Sequence, residues 1–195
     1  MADRPILFSG PMVRALIEGR KTQTRRVIAD GTTGEAPSIS PRYAVGDRLW
    51  VRETWTARMT HGWTIADARS RMYQEEILYR ADGHESIDGW WPSIHMPREF
   101  SRITLISTSV RMQRLQEISE VDCIEEGACV ISIPGTIGDP LVETPEPHVY
   151  ATPRKWYREL WDSLNADRGY GWDTNPWVIA VSFDVRRGNI DQVRP

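Results

Sequence analysis

The stretch that decides the reading is Gly19-Arg20-Lys21-Thr22-Gln23-Thr24-Arg25-Arg26-Val27-Ile28. A glycine opens it and β-branched residues close it, which predicts a turn entering a strand. In extended backbone Thr22, Thr24 and Arg26 share one face, and Lys21 reaches that face only if the turn curls under it. Alone, such a run is a solvated basic turn. What singles it out is the lysine: of 24 basic residues only Lys21 and Lys155 are lysines, and the other 22 are arginines. Where a plain positive charge suffices this chain uses Arg, so Lys21 points to an amine able to give up its proton, which a guanidinium does not do.

Before this stretch, Ile6-Leu7-Phe8 is a short apolar run. Ser9-Gly10-Pro11 then starts a helix with Met12, Val13, Leu16 and Ile17 on one side, closed by Gly19. After it, the Gly/Pro/Ser/Thr-rich residues 29–44 predict a surface loop. Val45-Gly46-Asp47 is a turn, and 48–55 is a strand in which Leu49 and Val51 alternate with Trp50 and Arg52. Further strands are predicted at 77–81, 101–115 and 177–185, with long loops at 82–98 and 128–151. Ser119 and Asp122 fit a capping box for a helix over 121–126 that stops at Gly127. A last helix starts at Thr152-Pro153 with Trp156, Leu160, Trp161 and Leu164 on its apolar face. Five to six strands with about three helices, lacking regular βαβ alternation, predict an α+β domain with a small mixed or closed sheet.

Composition narrows the function classes. The chain has 195 residues, 40% hydrophobic and 26% charged, enough for one domain with a real core. It contains no apolar run of membrane-spanning length and no secretory leader pattern. Two cysteines, Cys123 and Cys129, make no disulfide framework, so a cytoplasmic protein is expected. Net charge is −3, unlike a duplex-coating protein. Residues 1–60 nevertheless carry ten Lys/Arg against six Asp/Glu, so contacts to phosphate are expected from the first third. No phosphate-loop or dinucleotide glycine pattern occurs, nor a Gly-x-Ser-x-Gly elbow. His61, His84, His95 and His148 lack metal-ligand spacing, so no metal or cofactor is expected. Most of the nine tryptophans suit a core, while Trp50, Trp55, Trp90 and Trp91 fall at strand ends or in loops where a ring can stack on a base. No heptad pattern appears, and a monomer is expected.

The segment 19–26, then Val45-Gly46-Asp47-Arg48-Leu49-Trp50-Val51-Arg52-Glu53, Ile118-Ser119-Glu120 through Glu126-Gly127, and the closing strand from Trp177 to Phe183, together resemble the ASCH domain of the PUA-like superfamily. The resemblance covers nearly all of residues 1–195 as a single domain, with loops enlarged at about 56–98 and 128–151. The runs from Trp90 to Arg98 and from Trp161 to Asn165 are similar to a larger, phage-associated branch. It implies a PUA-like β-barrel with a cleft for RNA or a modified nucleoside or nucleobase. One branch of the family removes the acyl group from N4-acetylcytidine with a Lys, a Thr and a Glu. By motif position these fall on Lys21, Thr24 and Glu126, with Glu125 as the fallback. The resemblance thus implies an amidohydrolase for N4-acylated cytosine or cytidine, with substrate contacts from Arg26, Glu53, Trp55, His95 and Arg98. Either Lys21 or Glu126 can be its general base. Gln23 and Arg25 depart from the apolar residues of the small enzymes. The alternatives are a non-catalytic RNA-binding module, with Lys21, Arg25 and Arg26 on phosphates, and a ribonuclease.

Overall fold

A computed structural model describes residues 1–28, 41–57, 64–69, 77–84, 89–131, 141–143 and 152–194. The predicted loop 29–44 lies mostly outside the described residues, as do His61 and His148. The fold is α+β. Its principal sheet is mixed and five-stranded, in the hydrogen-bonded order β1-β3-β6-β9-β2, and it is not closed. The chain divides into two compact units, one formed by Met1–Glu18, Gly46–Ile106 and Asp184–Pro195, the other by Gly19–Val45 and Ser107–Phe183.

In the first unit β1 (Asp3–Leu7) runs parallel to β3 (Arg48–Arg52), in register from Asp3 opposite Arg48 to Leu7 opposite Arg52. The apolar run 6–8 therefore begins inside a strand that the sequence did not reveal. Pro5 is tolerated because β1 is the end strand of the sheet, where a missing N–H costs no ladder bond on the open side. Strand β3 continues antiparallel against the start of β6 (Ile103–Arg114). Between β1 and β3 in sequence lies helix α1 (Gly10–Ile17), burying Val13, Ala15 and Leu16. The predicted strand 48–55 breaks in two: β4 (Trp55–Ala57) leaves the principal sheet and pairs antiparallel with β5 (Ile77–Tyr79). A four-residue helix α2 (Ile65–Ala68), boxed by Thr64 and Asp67, precedes β5. Trp55, Ala57, Ala68, Met96 and Phe100 form a core there.

In the second unit β2 (Gln23–Val27) pairs antiparallel with β9 (Trp177–Arg187), Gln23 opposite Ser182 and Val27 opposite Val178. Helix α3 (Glu120–Glu125) is opened by the capping box of Ser119 and Asp122. Within the predicted loop 128–151, β7 (Cys129–Ile131) pairs with β8 (Leu141–Glu143). Helix α4 (Pro153–Asn165) buries Pro153, Tyr157, Trp161 and Asn165, spaced four apart. Its apolar face is thus centred on Tyr157 and Trp161; Trp156 and Leu160 pack at its margin, and Leu164 is exposed. The core of this unit joins Tyr157 and Trp161 to Leu115, Ile118, Cys123, Trp172 and Val178. Among the described residues no helix is long and apolar enough to cross a membrane.

Candidate active site

The polar groups of the site come from β2, the turn before it and the end of α3, joined by Tyr157 of α4 and Ser182 of β9, all within the second unit. Gly19 has φ +77°, the left-handed region in which a glycine avoids Cβ strain, and it turns the chain toward Lys21. The segment is then fastened on both sides. Thr22 N–H donates to Glu125 O at 2.8 Å, and Thr22 O accepts from Phe183 N–H at 2.9 Å. At the other end Glu126 is the C-cap of α3, and Gly127, at φ +112°, ends the helix. A helix end leaves carbonyls without intrahelical partners and carries a partial negative charge. Lys21 Nζ meets that end by donating to Glu126 O at 2.9 Å, and Arg20 donates to Gly127 O at 2.6 Å.

The same amine is 2.7 Å from Glu126 Oε2, with side-chain exposures of 1% and 4%. Glu126 Oε1 accepts from Arg25 at 3.1 Å and lies 3.5 Å from the Tyr157 hydroxyl. The second terminal nitrogen of Arg25 stands 3.2 Å from Asp122 Oδ2, an ion-pair contact without an aligned hydrogen bond. Lys21 and Arg25 are thus paired with Glu126 and Asp122, and Asp122 also accepts from Arg111 at 3.1 Å. Burial is the main influence on the Lys21 ammonium and pulls its pKa below the ordinary lysine value; Glu126 opposes the shift, while Arg26 and Arg25 add to it. Burial likewise drives the Tyr157 hydroxyl well above the ordinary tyrosine range, with the Glu126 charge adding to the effect.

Strand alternation divides the remaining residues. Gln23 and Arg25 face α3, where Gln23 Nε2 donates to Glu125 Oε2 at 2.8 Å and to Ser182 Oγ at 3.1 Å. Thr24 and Arg26 take the opposite face of β2. There the Thr24 hydroxyl, itself buried, accepts from Arg26 at 2.7 Å. Of the two glutamates named from sequence, it is Glu126 whose carboxylate meets Lys21, while that of Glu125 is held by Gln23.

The four other sequence-named contacts belong to the first unit. Trp55 is wholly buried, its ring centroid 4.5 Å from that of Trp91 and 5.0 Å from that of Phe100, so it is a core residue with no face for a base. Glu53 is buried and held by Arg102 at 2.9 and 3.0 Å; burial pushes its carboxyl pKa up, and Arg102 pulls it back. It forms an internal ion pair and offers no oxygen to a ligand. Arg98 is committed to Asp191 and Asp3, each at 2.6 Å. His95 is exposed on a short turn, Ser93–His95. The sequence reading missed Asp122 and Tyr157 as members of the cluster, and it gave Arg25 a phosphate only in the RNA-binding alternative. The capping pattern accounted fully for Asp122, and only the phase of α4 signals Tyr157.

No family model matches the chain, and no curated protein is similar to it at a significant level. Among solved structures, the chain is similar to an ASCH domain from Lactobacillus crispatus. The two share 13% identity over 94% of this chain and 79% of the other, with a TM-score of 0.44. It is also similar to a DUF984-family protein from Enterococcus faecalis, at 9% identity over 100% of this chain and 86% of the other, with a TM-score of 0.46. Among the described residues no group of three or more His, Cys, Asp or Glu side chains is placed to hold a metal ion.

Proposed function

We propose that this cluster is the proton-handling core of an amidohydrolase that removes the acyl group from N4-acylated cytosine or cytidine, as the sequence resemblance implies. The observation that carries the reading is the 2.7 Å contact between Lys21 Nζ and Glu126 Oε2 in a place sealed from water. In water the charged pair is the stable form. Burial holds the Lys21 ammonium below its ordinary pKa, which brings its neutral amine closer in free energy. One proton moved along that contact reaches it. Arg25 and Tyr157 hold Oε1, leaving Oε2 for the proton.

In the neutral form the Lys21 lone pair takes the proton of the Thr24 hydroxyl as its oxygen attacks the acyl carbon, a step that requires Thr24, which lies on the face of β2 away from α3 and bonds Arg26, to be brought to the amine when substrate binds. Arg26 donates to Thr24 Oγ1, which leaves the hydroxyl proton to be given away. The C–N bond then breaks toward the exocyclic nitrogen, which receives the Glu126 proton. Amine leaves, and the acyl group remains as a Thr24 ester beside a charged Lys21–Glu126 pair. Water adds to the ester carbon with Glu126 taking its proton, and Lys21 returns one to the Thr24 oxygen, so the starting state is regenerated.

The RNA-binding reading draws less support, because Lys21 and Arg25 are buried and paired with carboxylates instead of facing solvent. The test is release of cytidine and acetate in equal amounts from N4-acetylcytidine by purified protein. No turnover by the wild type, or full turnover by Lys21→Ala, overturns the reading. Metal-independent cleavage of plain RNA in its place supports the ribonuclease.

A further inference from the structure

We infer that Arg25 and Asp122 are positioning residues for the Lys21–Glu126 contact, which together they keep holding one proton across the working pH range. The catalytic half of this inference rests on the amidohydrolase reading; the titration of Lys21 does not. In that reaction the contact must carry a single proton. With none, Glu126 has nothing to give the exocyclic nitrogen. With two, Lys21 has no lone pair for the Thr24 hydroxyl.

Asp122 and Glu126 stand one helical turn apart on α3, so their carboxylates share a face of the helix and repel. Arg25 lies between them with no side-chain exposure, one terminal nitrogen 3.1 Å from Glu126 Oε1 and the other 3.2 Å from Asp122 Oδ2. Asp122 is itself fixed, by the Ser119 N–H at 3.1 Å and by Arg111 at 3.1 Å. Arg25 alone would strip the proton from the contact: a cation favours the carboxylate form of Glu126, and it adds to the effect of burial on Lys21. Asp122 shares that cation and so restrains it. Burial raises the Asp122 carboxyl, but the Ser119 N–H and the Arg25 charge outweigh it and bring it down to about 2, so it is ionised at any working pH. The other groups that face the cluster, among the described residues, keep a fixed charge or none. Arg20 of the turn and Arg26 of β2 are guanidiniums and stay charged. Burial drives the Tyr157 hydroxyl of α4 well above its ordinary range and the Cys123 thiol of α3 up to about 12, so both are neutral. Glu125 of α3 is held by Gln23, and Glu120 accepts from the Arg154 N–H. The Arg154 guanidinium of α4 donates to the carbonyls of Ile118 and Gln116.

The test is an NMR titration of the whole chain carrying isotope-labelled lysine, alongside the pH profile of kcat for N4-acetylcytidine. Lys21 and Lys155 are the chain's two lysines, and exposed Lys155 serves as the internal reference. Arg25→Met removes a cation, so each proton stays on to higher pH. The Lys21 titration and both limbs of the kcat profile should move up by about one pH unit. Asp122→Asn removes an anion, so both should move down, by less. A merely structural role would lower the amount of active protein without moving a limb, least of all in opposite directions for two variants. Where Arg25→Met does not fold, Asp122→Asn decides. A Lys21 titration that is unchanged in Asp122→Asn, or that moves up in it, overturns the inference. A Lys21 titration that moves while the limbs stay in place overturns the catalytic half. A wild type without turnover ends the amidohydrolase reading, and the Lys21 titration then decides the inference by itself.

Discussion

Lys21 Nζ and Glu126 Oε2, 105 residues apart in sequence, meet at 2.7 Å with almost no solvent at either group. Breaking such a pair strands a charge in the interior. Glu126→Gln should destabilise the protein by about 3–5 kcal/mol, because Lys21 and Arg25 both lose their shared carboxylate. Lys21→Met should cost less, since Arg25 and Tyr157 still serve Glu126. Urea unfolding of both single variants and the double variant checks this order. The double variant should lose less than the sum of the two.

Lys21→Arg separates charge from proton transfer. It keeps a cation beside Glu126 but removes a group that can deprotonate. If Lys21 is the base, kcat for N4-acetylcytidine should fall by about 100-fold or more while the thermal midpoint stays close to that of Lys21→Met. Activity near the wild-type level in Lys21→Arg would make Glu126 the base.

Acid stability should report on Asp122. Burial raises its carboxyl pKa, but the Ser119 N–H, the Arg25 charge and further hydrogen bonds outweigh it and bring the group down to about 2 from an ordinary 3.8. A carboxyl lowered by folding contributes stability above its unfolded value and loses it as pH falls through the folded one. Thermal midpoints should therefore decline between about pH 4 and pH 2. In Asp122→Asn that part of the decline should be missing.

The cysteines should differ in reactivity. Burial pushes the Cys123 thiol up to about 12, and the Glu120 charge adds to the shift. Cys129 is only partly buried. A thiol reagent at pH 8 should label one cysteine per native chain, and Cys129→Ser should abolish that labelling. Both thiols should react in denaturant.

Trp55 should behave as packing. Trp55→Ala should cost about 3–5 kcal/mol in urea unfolding. Trp55→Phe should restore most of that stability with an unchanged KM, the opposite of what a base-stacking residue would show.

Much of the fold was legible wherever the signal is local. The capping box at Ser119, the turn at Gly46, the long strand ending at Arg114 and the final strand all follow from residues a few positions apart. Strand β1 was not, because Asp3–Leu7 is a strand only through pairing with β3, more than 40 residues away, and Pro5 argues against it locally. The apolar face of α4 was misplaced because Trp156, Leu160 and Leu164 outweigh Tyr157 in hydrophobicity, although it is Tyr157 that turns inward beneath Glu126.

By itself the sequence determined the α+β class and marked Lys21 as an amine chosen over guanidinium. It also set Thr24 and Arg26 on one strand face. Only the tertiary structure decided which acid meets Lys21, that Arg25 serves a carboxylate and not a phosphate, and that Trp55 and Glu53 are interior. The reason is that partner choice and burial depend on segments far apart in the chain. At 126 the turn made by Gly127 aims one of two adjacent glutamates at the amine, and no local pattern distinguishes them.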